Sequence, residues 1–469
     1  MGRNYHVVII GGGFAGLAAA DLLARHKLAV LVVDENVHTG GQLLRKMLQS
    51  PGKVILSEPD QLKRIGYRLV DRIHGQGIQL MNRAQVLGIY PERQLCIEDR
   101  LGRILDLKAE FIICATGARE KFLPFKGWTL PGVISTGAAQ ILIKSSGILP
   151  ARETLIGGCG PLLIVLANEI LMNNGRILSV LDQSLPRDKI GLLKLCRHHL
   201  PKLIEGARYF FKLLLSRVPV RQSTGIVEAR GTHRLEAVVT ARVDARGQAI
   251  AGTETTYQTD CLAIGYGFAP NIELPQQAGC AIEYHREKGG WTVRVDDHME
   301  TSVENLYAAG ETTGIAGAKK SYTEGQIAAL SILQKLGIGD ANARQRQLIS
   351  LQRLWQHQRQ YGKFLNLLCH IPAASYAAIS DDTIICRCED VTMGEIRKKL
   401  SNGFTTMGSL KKVSRSGMGN CQGRTCGPIL HDILAAYTRK SPTQIGSLSI
   451  RPPIKAVPLE ALATLDTND

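Results

Sequence analysis

Val7-Val8-Ile9-Ile10-Gly11-Gly12-Gly13-Phe14-Ala15-Gly16 stands near the start of the chain and decides its first structural unit. The β-branched run reads as a short buried strand, the glycines as a tight turn, and residues 17–26 as a helix by composition. Residues 29–33 form a second apolar strand. In this pattern Gly11 permits the turn, Gly13 lets a pyrophosphate approach the backbone, and Gly16 lets helix and strand pack closely. Phe14 and Ala15 open the helix, whose N-terminal N–H groups and partial positive charge suit phosphate. A carboxylate for the ribose hydroxyls is expected about 20 residues on. Asp34 stands there, at the end of the second strand, with Glu35 beside it. Motif, strand, helix and acid in register point to a dinucleotide site; the bland alternative is a glycine turn with no ligand.

A similar unit recurs over residues 154–182, with Gly157-Gly158-Cys159-Gly160 as its turn. Two such units predict two doubly wound α/β domains. The apolar run 111–117, ending Ala115-Thr116-Gly117, and the run 261–265, followed by Pro270-Asn271, read as the crossovers into and out of an inserted domain. The second turn carries Leu163 where its third glycine should be, although Asp182 supplies the acid. Leucine there pushes the helix off the strand or fills the ligand's space, so a retained fold without nicotinamide is expected in preference to NAD(P)H binding. Neither turn has a C-x-x-C or C-x4-C beside it, which argues against a disulphide reductase of the thioredoxin or glutathione type.

The 469 residues allow about three domains. With 44% hydrophobic and 21% charged residues the chain reads as globular, not collagenous, coiled-coil, disordered or membrane-spanning. Its charge of 57 − 41 = +16 does not choose between nucleic acid, anionic lipid and an acidic partner. Nucleic-acid binding has no other support, and a basic face for a partner subunit is the preferred use. The N-terminus lacks the basic and apolar regions of a signal peptide, giving an expected cytoplasmic location in which the eleven cysteines stay reduced. Seven of them are scattered and read as small buried apolar residues.

Residues 187–221 form a basic, leucine-rich stretch (Leu192, Leu193, Leu195 at helical spacing), expected to bury its leucines and leave its lysines in solvent; a membrane-surface or partner helix is the alternative. His198-His199 within it read as surface residues. Residues 340–376 read as a helical connection, and the prolines after Ser441 mark an extended tail. No catalytic Ser/His/Asp arrangement is visible, and no catalytic residue is assigned.

Cys386-Arg387-Cys388 and, after thirty-two residues, Cys421-Gln422-Gly423-Arg424-Thr425-Cys426 form the most specific signal. Two thiolate pairs can converge on one inorganic centre, an iron–sulfur cluster or zinc. Gly417, Gly419 and Gly423 would let backbone N–H groups face the sulfurs. The spacing resembles the bacterioferritin-associated-ferredoxin-like (BFD-like) [2Fe-2S] domain, which implies Cys386, Cys388, Cys421 and Cys426 as cluster ligands. Gly40-Gly41-Gln42, Ala115-Thr116-Gly117 and Asn305-Leu306-Tyr307-Ala308-Ala309-Gly310-Glu311 resemble the FAD-binding set of two-dinucleotide-domain flavoproteins. That likeness adds Gly41, Gln42, Thr116, Gly117, Gly310 and Glu311 to the cofactor-binding residues. Glu311 departs from the family's usual Asp by one methylene; FAD is the preferred occupant, with an adenine-only ligand the alternative.

The whole chain resembles the flavin/iron–sulfur subunit of heteromeric dye-linked amino-acid dehydrogenases, a group with opine oxidases, proline and hydroxyproline dehydrogenases and hydrogen cyanide synthase. Gly127-Trp128-Thr129-Leu130-Pro131-Gly132-Val133, Gly158-Cys159-Gly160-Pro161-Leu162-Leu163, Gly265-Tyr266-Gly267-Phe268 and Met418-Gly419-Asn420-Cys421-Gln422-Gly423-Arg424 carry the likeness. It implies an α/β fold of the glutathione-reductase-like type, the second Rossmann domain inserted in the first, plus a small helical BFD-like domain. The expected boundaries are 1–118 and 266–338 for the FAD-binding domain, 119–265 for the insertion, 339–380 for a helical connection, 381–436 for the [2Fe-2S] domain and 437–469 for a tail suited to subunit contact. It also implies a D-amino-acid-oxidase-like FAD subunit that oxidises an amino acid or opine at its Cα–N bond, with FMN at a subunit interface in some relatives. In some relatives of this group the first nucleotide fold holds ATP instead of FAD. A respiratory or dye acceptor, peripheral association with the inner face of a membrane and a small ferredoxin-like third subunit complete the expectation. The competing function is a self-contained NAD(P)H-dependent FAD/[2Fe-2S] reductase; a third is a non-enzymatic iron–sulfur module on a flavin-fold scaffold.

Overall fold

In the computed structural model, which describes residues 3–45, 61–75, 78–185 and 200–463, the strand Arg3–Ile10 lies inside a seven-stranded sheet. It runs parallel to Val30–Asp34 on one side and Ile104–Cys114 on the other, with Ile10 level with both Val33 and Cys114. Three strand ends therefore finish side by side at the glycine turn. The strand is apolar on both faces because both are covered, and Val7, Val8 and Ile9 are fully buried. Leu306–Ala308 returns from far downstream to pair in parallel with the end of Ile104–Cys114. Everything between forms other structure, including a five-stranded parallel sheet built from Val133–Ser135, Glu153–Gly158, Arg176–Asp182, Val220–Gln222 and Leu262–Gly265. The second doubly wound unit is thus inserted in the first.

Helix Phe14–Ala24 packs against Ala318–Lys335 at a separation only glycine permits. A β-carbon on Gly325 would stand 2.0 Å from the Ala15 carbonyl oxygen, and one on Gly16 would stand 2.0 Å from that of Gly11. Helix Ala341–Leu368, N-capped by the Asp340 side chain, leads on to the cysteine-bearing region. There, helices Met393–Ser401, Met407–Ser414 and Cys426–Thr438 surround a short hairpin. Its apolar residues Ile385, Met393, Leu410 and Ile429 share one continuous core with Leu155, Leu181 and Leu262 of the inserted unit. Buried Trp128 seals the junction by donating its Nε1–H to the Ile384 carbonyl at 2.7 Å.

One reading of the sequence is corrected here. Helix Leu200–Leu215 buries Leu213 but leaves Ile204, Phe211, Leu214 and Leu215 more than half exposed, so its apolar face is not packed inward along its length. The rest of that basic stretch (187–199, with Leu192, Leu193, Leu195, His198 and His199) lies outside the described residues. The proline-bearing tail lies across its own chain. Ile445 enters the core beneath the cysteines, the Ile454 N–H donates to the Leu87 carbonyl at 2.9 Å, and Ala461 packs with Leu87 and Cys96. Among the described residues no helix is long and apolar enough to cross a membrane.

Candidate functional site

A cavity of about 790 Å³ opens at the strand ends of the first sheet. Gly11, Gly13, Phe14 and Ala15 line it; Gly16 does not, because it lies under the helix against the Gly11 carbonyl. Asp34, Glu35, Gly41, Gln42, Thr116, Gly117, Gly310 and Glu311 complete that wall. The space before Gly13 is open: a β-carbon there would meet only the Gly41 Cα, at 4.0 Å. Gly13 is also the N-cap of the helix, with no side-chain cap and no acid in the first turn. Bare helix N–H groups facing a cradle that a β-carbon would fill suit an anionic pyrophosphate.

Asp34 lines the cavity while it holds the turn: its carboxylate accepts from the Gly12 N–H at 2.7 Å and the Asn36 N–H at 2.8 Å. Glu35 is the freer acid and pairs with Lys455 from the tail. On the opposite side Glu311 folds back on its own loop, accepting from the N–H groups of Gly317 at 2.7 Å and Ala316 at 3.1 Å. Burial pushes its carboxyl above the ordinary range, against the opposing pull of Lys320. Beneath it lies a polar cluster that sequence reasoning missed. The Glu324 carboxylate, fully buried, accepts from the Gly310 N–H at 2.7 Å, pairs with Lys320 at 2.9 Å, and receives the Trp355 Nε1–H at 2.7 Å. The i,i+4 Lys320/Glu324 spacing on an apolar helix was the signal that could have found it.

The second glycine turn borders the same cavity through Cys159, Pro161 and Leu162. Gly158 keeps its special geometry (φ +136°, a β-carbon 1.9 Å from the Gly265 carbonyl oxygen). Leu163 is buried with Ile156 and Leu166, filling the space between helix and strand. The Asp182 carboxylate accepts from the Ser184 N–H at 3.0 Å and its hydroxyl at 2.5 Å.

The third wall comes from the cysteine region. Arg424, between Cys421 and Cys426, lines the cavity and donates to the Ile454 carbonyl at 2.9 Å. Around it the four thiols gather as two couples. The neighbouring Cys426 thiol holds the Cys386 thiol down to about 5 against burial, helped by the N–H groups of Gly417, Cys388 and Glu389. The same contact pushes Cys426 upward, and both Cys421 and Cys388 act on it too. Cys388 and Cys421 form the other couple, with the Thr425 and Gly423 N–H groups aimed at the Cys421 sulfur. A β-carbon on Gly419 would come within 2.3 Å of the Cys388 Cβ, so only glycine fits there. Among the described residues no three His, Cys, Asp or Glu side chains surround one point as a single metal ion requires. The reading of the remaining seven cysteines as scattered apolar residues needs correcting for two: the Cys369 thiol donates to the Cys159 carbonyl at 3.7 Å.

Comparison with known proteins gives a consistent answer. The pyridine nucleotide-disulphide oxidoreductase family profile matches residues 5–329, and the sarcosine oxidase A3 domain profile matches residues 380–465, cysteines and tail together. The A-type subunit of opine oxidase from Rhizobium meliloti is 30% identical over 98% of this chain and 88% of its own length. The HcnB subunit of hydrogen cyanide synthase from Pseudomonas aeruginosa is 32% identical over 99% and 100%. The alpha subunit of sarcosine oxidase from Rhizobium meliloti is 24% identical over 98% of this chain but 42% of its own. Among solved structures, L-proline dehydrogenase from P. horikoshii superposes with a TM-score of 0.72 at 19% identity, covering 98% of this chain and 79% of that one.

Proposed function

This chain belongs to the pyridine nucleotide-disulphide oxidoreductase family, in the group of the A-type opine oxidase and HcnB subunits, and we propose that it is the electron-transfer subunit of a heteromeric dehydrogenase acting on an amino acid or opine. One observation carries the reading: Arg424, from within the thiol loop, lines the same cavity as the first glycine turn. A nucleotide cofactor and a sulfur-bound centre would therefore sit as neighbours.

FAD is the proposed occupant of the cavity, and a [2Fe-2S] cluster of the four thiols. A flavin exchanges two electrons and such a cluster one, so together they divide a two-electron oxidation into single transfers. Gly13 and the first helical N–H groups would hold the pyrophosphate, with Glu35 the better placed acid for the ribose. Thiols gathered in two couples suit two irons with two sulfur ligands each, rather than one tetrahedral zinc. The oxidation itself is assigned to a D-amino-acid-oxidase-like FAD partner subunit, with FMN between subunits. A respiratory or dye acceptor and a small ferredoxin-like third subunit complete the proposed complex. Helix Leu200–Leu215, apolar on its exposed face, is the element for peripheral membrane or acceptor contact from the cytoplasmic side.

A second reading of the cavity has its own support. Glu311 already satisfies the N–H groups of Ala316 and Gly317, which favours a ligand confined to the adenosine and phosphate end, such as ATP. Acid-released nucleotide and the visible spectrum of the anaerobically purified chain, with and without its co-expressed partner, test all of this. FAD with an iron–sulfur signature, and substrate reduction only with the partner, is the expected result. Direct bleaching of the lone chain by NADH would replace the proposal with a self-contained reductase.

A further inference from the structure

Cys159 belongs to the second glycine turn and Cys369 to the C-cap of helix Ala341–Leu368, yet tertiary packing brings them together on one cavity wall. The Cys369 thiol donates to the Cys159 carbonyl oxygen, its sulfur 3.7 Å away, which sets the two cysteines side by side. The fit is tight on every side. A β-carbon on Gly160 would stand 2.3 Å from the Cys369 sulfur, and one on Gly267 would stand 2.8 Å from the Cys369 Cβ. Glycines at both positions thus make room for this side chain. Neither thiol belongs to the 386–426 set, and the proposed function uses neither.

We propose that Cys159 and Cys369 form a redox-active pair that closes to a reversible disulphide on exposure to a peroxide. The two thiols are unequal in a way that orders the steps. Cys369 is partly exposed toward the cavity, whereas Cys159 is buried. Contact with Cys369, then burial, keeps the Cys159 thiol protonated. Cys369 therefore reacts first: its sulfur attacks the peroxide O–O bond, one oxygen stays as a sulfenic acid, and the other leaves as water. The Cys159 sulfur then attacks the Cys369 sulfur; the S–O bond breaks, and the hydroxyl leaves with the Cys159 proton as a second water. Two electrons pass from the thiols to one hydrogen peroxide. The bridge would tie the second glycine turn to the end of the long helix that leads to the cysteine region.

The test uses the full-length chain, reduced, freed of reductant, exposed to hydrogen peroxide, quenched with N-ethylmaleimide and digested with trypsin without reduction. Peptide 153–176 holds Cys159 as its only cysteine, and peptide 364–387 holds Cys369 and Cys386, so fragment ions must place the bridge. The expected product joins Cys159 to Cys369, disappears with dithiothreitol, and is absent from Cys369→Ser, in which Cys159 is recovered as an alkylated thiol. Cys369 is the residue to replace because it is less buried than Cys159. Recovery of both cysteines as alkylated thiols overturns the proposal, as does oxidation of Cys369 to sulfinic acid without a bridge. So does a bridge from either cysteine to any other residue.

Discussion

The Glu311 carboxylate accepts the Gly317 N–H at 2.7 Å, so the backbone entering helix Ala318–Lys335 is held by a residue from the loop before it. The neighbouring Ala316 N–H bonds the other carboxylate oxygen at 3.1 Å. Aspartate, one methylene shorter, could not span the same gap without moving the loop. Glu311→Asp is therefore expected to cost about 1.5–3 kcal/mol of stability, the usual worth of hydrogen bonds to a charged group. It should also raise FAD bound per chain, because the Ala316 and Gly317 N–H groups are released for a ligand. Thermal unfolding and flavin titration check the two effects separately; tighter folding with unchanged flavin content would refute this account of Glu311.

Gly13 and Gly16 are three residues apart and should fail in different ways. Gly13 faces open space, so Gly13→Ala is expected to change stability by under about 1 kcal/mol while nucleotide content falls sharply. Gly16→Ala places a β-carbon 2.0 Å from a backbone oxygen and should destabilise by about 1–3 kcal/mol or more. Urea unfolding beside nucleotide analysis distinguishes them. Equal losses of stability in the two variants would contradict the geometry.

Lys320 and Glu324 form a buried ion pair, 2.9 Å apart and almost wholly out of solvent. Lys320→Met leaves the Glu324 charge without its partner, for an expected loss of about 3–5 kcal/mol. Lys320→Met with Glu324→Gln should recover part of it. A single variant as stable as the parent in denaturant titration would rule out a charged pair.

Asp432 ties the cysteine region to Lys121, just past strand Ala118–Glu120. Its carboxylate accepts from the Tyr376 hydroxyl at 2.8 Å and lies 3.5 Å from the Lys121 ammonium. Burial opposes ionisation, but Lys121, His431 and Tyr376 prevail and hold the carboxyl well below the usual range. A depressed acid binds fewer protons folded than unfolded, so its stabilising share is present above about pH 4 and is lost as pH falls from there. Asp432→Asn should flatten the unfolding free energy against pH over that acid range, measured by chemical denaturation at fixed ionic strength. An unaltered profile would remove Asp432 as its cause.

Cys421→Ser tests the centre assigned to the four thiols. Iron and acid-labile sulfide should fall to background while nucleotide content stays, since Cys421 does not line the nucleotide cavity. Retained iron with the parent spectrum would discard Cys421 as a ligand.

The residues that touch a turn or a strand end were legible in the sequence, because their roles are set by local geometry. Gly11, Gly13 and Gly16 follow from one strand–turn–helix unit, and Cys386 to Cys426 from spacing alone. The insertion of one doubly wound unit in the other was likewise legible, from matched strand ends at Gly117 and Gly265. What folding alone decided depends on residues far apart in the chain. Asp34 serves the turn while Glu35 faces Lys455; the tail returns to Leu87; Cys369 meets Cys159 across 210 positions. Such contacts leave no periodic or motif signal, since each is the by-product of packing surfaces whose relative placement no short stretch of sequence encodes. The sequence determined which chemistry the chain can carry, and the tertiary structure decided which of its groups face one another to carry it.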